Sequence, residues 1–213
     1  MHSLMCGLCL RNELMRLVIA SNNKGKIAEM SGLLADLGVE IVSQKEAGFN
    51  EDVDETGTTF MENARLKATA ASRALGCAVI ADDSGLVVDA LNGEPGVYSA
   101  RYTGNHDDSD EDRYMYLLKK MEGITDRSAR FICSICCILE DGTEISADGT
   151  CEGTILEAPR GHNGFGYDPV FQPVGYEESM AELGAVKQQI SHRAHALTVF
   201  KSKLEDYFNG IDQ

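Results

Sequence analysis

Leu17-Val18-Ile19-Ala20-Ser21-Asn22-Asn23-Lys24-Gly25-Lys26 is a four-residue apolar run that breaks into turn chemistry. Behind it Ile27, Met30, Leu33, Leu34 and Leu37 recur at helical spacing, and Gly38 is a natural helix stop. A strand that hands over to a helix through a polar turn begins an α/β unit, and the chain downstream keeps to that pattern. Residues 39–42 read as a second short strand. Thr59-x-x-Glu62 is a capping-box signature opening an Ala-rich helix that ends before Gly76. Residues 77–81 read as a short buried strand that stops at the turn-like Asp82-Asp83-Ser84-Gly85. Residues 86–105 look like a long, poorly periodic connection, and Ser109-Asp-Glu-Asp112 starts another helix. Residues 129–140 and 144–155 read as a strand pair joined by Asp141-Gly142. A Gly-rich irregular stretch, 159–173, precedes a last helix from near Ser191 to Gly210. The expected class is α/β with a mixed sheet.

Composition excludes several function classes. A chain of 213 residues can bury one sizeable core, or two lobes sharing a sheet. Its 19 Lys+Arg against 34 Asp+Glu leave a net charge of −15, a poor field for duplex nucleic acid or an anionic membrane. The longest nearly apolar run, 132–139, falls far short of the roughly 20 residues of a membrane span. The first fifteen residues lack a signal-peptide pattern and read as an extension. Seven cysteines, an odd number, point to reduced thiols in a cytoplasmic setting. Cys133, Cys136 and Cys137 lie in an apolar run and act as small hydrophobes, while Cys6-x-x-Cys9 lacks the second pair of a zinc site.

Several stretches offer chemistry. Ser21 to Lys26 sits at a strand's carboxyl end and a helix's amino end, where an anion is favoured. It is not a Walker loop, since Ile27 follows Lys26, and a plain polar turn fits equally well. Asp82 and Asp83, adjacent on a strand, should point to opposite faces, so one carboxylate at most looks into a given cleft. Such a group can hold Mg²⁺ or take a proton from water, and Asp-Ser-Gly turn chemistry is the alternative. Glu55 either complements a helix dipole or adds a second metal ligand. The run 107–112 lacks the glycine and distal Glu of a calcium loop and reads as a solvated helix start. Gly164-Phe165-Gly166-Tyr167 either offers a stacking face for a base or turns both aromatics into the core. His192 and Arg193 stand at a helix start with Lys187 just upstream, where cations are unfavourable without a compensating group.

Taken in order, Ser-Asn-Asn-x-x-Lys (21–26), Glu-Thr-Gly (55–57), Glu-Asn-Ala (62–64), Ala-Asp-Asp-Ser-Gly-Leu (81–86), Pro-Gly-Val-Tyr-Ser-Ala-Arg-Tyr (95–102), Gly-Phe-Gly-Tyr-Asp-Pro (164–169) and Ser-His-Arg (191–193) form a specific set. The set resembles the inosine triphosphate pyrophosphatase family over about residues 16–208. The resemblance implies hydrolysis of non-canonical purine nucleoside triphosphates (ITP, dITP, XTP) to the monophosphate and pyrophosphate. It implies a long twisted mixed sheet flanked by helices, two lobes with the substrate cleft between them, and a homodimer. The catalytic domain would be 16–213, with 1–15 a disordered extension that has no counterpart in the family.

Carried over by position, Ser21, Asn22, Asn23, Lys24, Gly25 and Lys26 would hold the triphosphate, with Lys67 reaching it from the following helix. Glu55 and Asp83 would bind Mg²⁺, and Asp83 would accept the proton as Mg²⁺-bound water attacks the α-phosphate. Ser84 would touch the nucleotide, and Phe165, Gly166, Tyr167 and Asp168 would enclose base and sugar. Lys187, His192 and Arg193 would read the purine edge. Ser21 stands where many members have Thr, which keeps the hydroxyl.

Overall fold

A computed structural model of the chain describes residues 15–105 and 107–211. The expected extension over 1–14, with Cys6 and Cys9, lies outside the described residues. Met15, counted in that extension above, does not, since its carbonyl accepts the Glu40 N–H at 2.9 Å.

Strand β1 (Arg16–Ile19) pairs in parallel with β2 (Glu40–Ser43) on one side and β3 (Ala78–Val88) on the other. A strand with two parallel neighbours is covered on both faces, so it must read as continuous apolar sequence. Leu17, Val18 and Ile19 meet that demand and are fully buried. The described residues form a six-stranded sheet in the order β2-β1-β3-β4-β5-β6, where β4 is Ser128–Ile138, β5 Glu144–Ile155 and β6 Phe171–Pro173. β6 runs antiparallel to β5, with Ile155 opposite Phe171, so the sheet is mixed. The helices are α1 (Lys24–Leu34), α2 (Phe60–Leu75), α3 (Asp110–Lys120), the single turn α4 (Lys187–Ile190) and α5 (His192–Ile211). The α/β class and mixed sheet are as expected.

Three local expectations are corrected. β3 does not stop at Ala81 but runs on to Val88, 11 residues in all, so Asp82-Asp83-Ser84-Gly85 lies inside a strand and is not a turn. Asp and Gly are poor strand residues, and distant partners override that preference here. The supposed long connection begins as the end of β3 and then forms short 3₁₀ turns at Asp89–Leu91 and Gly96–Arg101. The irregular stretch 159–173 ends in a genuine strand, β6.

The chain divides into two compact units. One comprises the chain up to Asp83, Ser134–Gly149 and the chain from Ala196. Its core sets Val18, Ala20, Val79 and Ala81 of the sheet with Ala64, Ala68 and Ala71 of α2. Those alanines fall on one helical stripe, and their small side chains let the helix lie close. The other unit comprises Ser84–Cys133 and Thr150–His195, with Leu86, Leu117, Phe131, Tyr167, Phe171 and Met180 in its core. Phe131 and Phe171 meet edge to face, 4.6 Å between centroids.

Candidate active site

In the first unit, α1 begins at Lys24 because Asn23 caps it, its Oδ1 accepting the Lys26 N–H at 3.0 Å. The Ser21 hydroxyl accepts the Asn23 N–H at 3.2 Å. Asn22 commits its amide elsewhere: Nδ2 donates to Asp52 at 2.8 Å and Oδ1 accepts from Gln44 Nε2 at 2.8 Å. Lys24 is exposed, whereas Lys26 is largely covered and lies 3.1 Å from the buried carboxylate of Asp82.

Helix α2 supplies the next pair. The Thr59 side chain accepts the Glu62 N–H, and the Glu62 carboxylate accepts the Thr59 N–H, so both halves of the capping box form. That start fixes the helical phase and places Asn63 and Lys67, four apart, on one face. Asn63 is wholly buried and donates through Nδ2 to Asp83 Oδ2 at 3.1 Å. Its Oδ1 accepts the Gly57 N–H at 2.8 Å, and a Cβ at Gly57 would lie only 2.7 Å from that oxygen. Lys67 Nζ is 2.6 Å from Glu55 Oε1 and 3.5 Å from Asp83 Oδ1.

Burial drives the Asp83 pKa above the ordinary 3.8, although Lys67 and Lys26 pull it down; Glu55 adds to the rise and Asn63 opposes it. Burial also presses on Lys67, but Asp83, Asp82 and Glu55 outweigh it and hold the ammonium above its ordinary value. The two outcomes differ because Lys67 faces three anions, while Asp83 shares Lys67 with Glu55 and Lys26 with Asp82. Asp82 is not electrostatically remote from this cluster: it takes Lys26 and acts on Lys67 through charge alone, while the hydrogen bonds from Asn63 and Lys67 go to Asp83.

The second unit gathers a different set. Asp168, buried, accepts from Lys187 Nζ at 2.6 Å and from the Phe165 N–H at 2.9 Å. The Lys187 ammonium lies 4.6 Å from the Phe165 ring centroid, and the Arg193 guanidinium 5.8 Å from it. Arg193 is fully buried and donates through Nη2 to the Ser84 hydroxyl at 2.9 Å. Gly164 permits the turn: its φ is +81°, and a Cβ there would sit 2.0 Å from Asp168 Oδ2. Gly166 donates its N–H to Asp110, so the acidic run at the start of α3 is tied to this loop rather than merely solvated.

The expected residues thus fall into two groups. Lys26, Glu55, Lys67 and Asp83 join in the first unit, and Ser84, Phe165, Asp168, Lys187 and Arg193 in the second. Tyr167 instead enters the core and donates its hydroxyl to the Ser99 carbonyl at 2.8 Å. His192 lies flat on Phe131, 4.8 Å between centroids. Sequence reasoning gave no role to Asn63 or Asp110. The signal for Asn63 was an amide one turn before Lys67 on an otherwise Ala-lined helix. The buried thiols offer no nucleophile, since burial pushes Cys136 up to about 12 and Cys151 up to about 11. Among the described residues no group of three or more His, Cys, Asp or Glu could hold a metal, so Glu55 and Asp83 are a two-carboxylate set.

The sequence model of the Ham1 family matches residues 17–203. The chain is 47% identical over 197 residues to the dITP/XTP pyrophosphatase of Exiguobacterium sp. (strain ATCC BAA-1283 / AT1b), covering 92% of this chain and 100% of that one. It is 49% identical over 197 residues to the dITP/XTP pyrophosphatase of Geobacillus kaustophilus, covering 91% and 96%. Among solved structures it resembles the Ham1 protein of Staphylococcus aureus, with a TM-score of 0.79, 45% identity and coverage of 92% and 98%. A HAM1 protein from Coxiella burnetii gives a TM-score of 0.82 at 40% identity, covering 91% and 100%.

Proposed function

The chain belongs to the Ham1 family, and we propose that it hydrolyses non-canonical purine nucleoside triphosphates (ITP, dITP and XTP) to the monophosphate and pyrophosphate. It is a hydrolase of phosphoric anhydrides. The observation that carries the assignment of chemistry to residues is the pair of carboxylates, Glu55 and Asp83, gathered on the Lys67 ammonium.

The donor set fits Mg²⁺, which is commonly held by one or two carboxylates with waters and substrate phosphates completing its shell. Glu55 and Asp83 would hold the ion, and Lys67 already marks the place as one that accepts a cation. When bound, Mg²⁺ neutralises phosphate charge and acidifies water. Asp83 then takes the proton of the water that adds to the α-phosphorus, a role suited to a carboxylate whose burial raises its basicity. Asn63 keeps Asp83 oriented through Oδ2 and leaves Oδ1 toward Lys67. Lys26, Lys67, the Ser21 hydroxyl and the amino end of α1 bind and align the triphosphate, so that pyrophosphate departs against fixed positive charge. Asn22 acts from behind, holding the turn through Gln44 and Asp52.

In the second unit the Phe165 ring, with Lys187 and Arg193 against it, is the platform for the purine. Arg193 and Lys187 are donors, so they favour a keto oxygen at purine position 6 and oppose the amino group of adenine. A site built to bond one such group discriminates by about 10⁴–10⁵ against the analogue that cannot answer it. The family resemblance is the basis for reading the protein as a cytoplasmic homodimer; no helix among the described residues is long and apolar enough to cross a membrane. Pyrophosphate release with Mg²⁺ tests the reading: ITP, dITP and XTP should be cut efficiently and ATP at least about a thousandfold less so. Equal catalytic efficiency on ITP and ATP would sink it.

A further inference from the structure

Lys67 occupies the place that a divalent cation needs. Its ammonium contacts one oxygen of Glu55 at 2.6 Å and one of Asp83 at 3.5 Å, and its side chain is only 16% exposed. Glu55 and Asp83 come from separate parts of the chain, a loop before α2 and the middle of β3, and Lys67 contacts both. An ammonium and a divalent ion cannot lie against the same carboxylate oxygens without strong repulsion, because a like charge within about 4–6 Å shifts a site's ion affinity by one to three decades. Lysine is also the residue best able to leave, being a compact charge on a flexible four-carbon stem. A triphosphate offers it other oxygens within the same cluster.

We propose that Lys67 is the resident counter-cation of Glu55 and Asp83 and a competitor of Mg²⁺, giving up the carboxylates only when a triphosphate takes its ammonium. The inference rests on the reading of Glu55 and Asp83 as the Mg²⁺ ligands. It makes the protein a weak binder of the free ion and a strong binder of ion and triphosphate together. The carboxylate pair then stays partly compensated between turnovers, without a metal.

The test is a Mn²⁺ titration of the nucleotide-free full-length chain, read by the loss of free-ion electron paramagnetic resonance. Lys67→Met should bind Mn²⁺ at least about tenfold more tightly than the parent, the low end of the effect of one neighbouring charge. Lys67→Arg, which keeps the charge, should stay near the parent. Glu55→Gln added to Lys67→Met should abolish the gain. Should Lys67→Met fail to fold, Lys67→Gln serves, and in either variant Mg²⁺ alone should raise the melting temperature more than in the parent. Binding that is unchanged or weaker in Lys67→Met overturns the competition while leaving the metal site standing. Absence of Mn²⁺ binding by parent and variant alike, even with inorganic pyrophosphate present, overturns the metal site and the competition together.

Discussion

Asp83 meets two opposed demands: it must ionise to take a proton, yet it is buried where ionisation is unfavourable. Lys67, Lys26 and Asn63 reduce that penalty without cancelling it, so its pKa stays above the ordinary 3.8. A raised carboxyl pKa means that the folded state binds the proton more tightly than the unfolded chain. The contribution to stability is therefore fully present below the unfolded value and is lost as pH rises through the folded one. In metal-free, nucleotide-free protein, Asp83→Asn should melt no lower than the parent at neutral pH. Its margin over the parent should grow as pH rises from about 4 through the raised value. Turnover should fall by at least about 10²-fold, the low end for a general acid–base group. Thermal melts across pH, beside Mg²⁺-dependent pyrophosphate release, check both halves; near-normal turnover would remove Asp83 from catalysis. Asp82→Asn should lower turnover as well as stability, because Asp82 is the partner of Lys26.

At the scale of elements, α2 shows how a cap far from the chemistry sets it. Thr59 and Glu62 fix where the helix begins, and the phase that follows places Asn63 and Lys67 at Asp83. Thr59→Ala removes one half of the box and should cost about 1 kcal/mol. In a chain of this size that lowers the melting temperature by roughly 2–4 °C. Turnover should change little, since Glu62 still holds Thr58 and packed alanines keep the helix in place. A calorimetric scan with a parallel assay decides; a large loss of turnover would mean the cap itself controls the site. Features of this kind were legible in sequence because they are local: the apolar run of β1, the starts of α2 and α3, the turn at Asp141-Gly142. The continuation of β3 past Ala81 was not, since a strand containing Asp82-Asp83-Ser84-Gly85 depends on neighbouring strands distant in sequence. β6 escaped for a related reason: three residues after a Gly-rich turn become a strand only by pairing with β5. The site residues were found as types, through their motifs. Their commitments, such as Asn22 to Gln44 and Tyr167 to Ser99, depend on contacts between distant parts of the chain.

Across the whole molecule, the question is how a chain of charge −15 captures a strongly anionic substrate. Read as a list, Lys24, Lys26, Lys67, Lys187 and Arg193 suggest a positive site that outweighs the bulk. The structure alters that balance, because Lys26 is paired with Asp82, Lys67 with Glu55 and Asp83, and Lys187 with Asp168. With Lys26, Lys67 and Lys187 matched by carboxylates, the approaching nucleotide meets the repulsive far field first and the donors only at contact. Screening shortens the reach of that field from about 30 Å at 0.01 M salt to about 8 Å at 0.15 M. Catalytic efficiency on ITP, measured at fixed free Mg²⁺, should therefore rise over this range of monovalent salt, the reverse of the fall expected for attractive steering. kcat should move less than kcat/KM, since the paired charges within the site are covered and screened far less than the surface. A steady fall of kcat/KM with salt would mean that exposed positive charge such as that of Lys24 dominates the encounter after all.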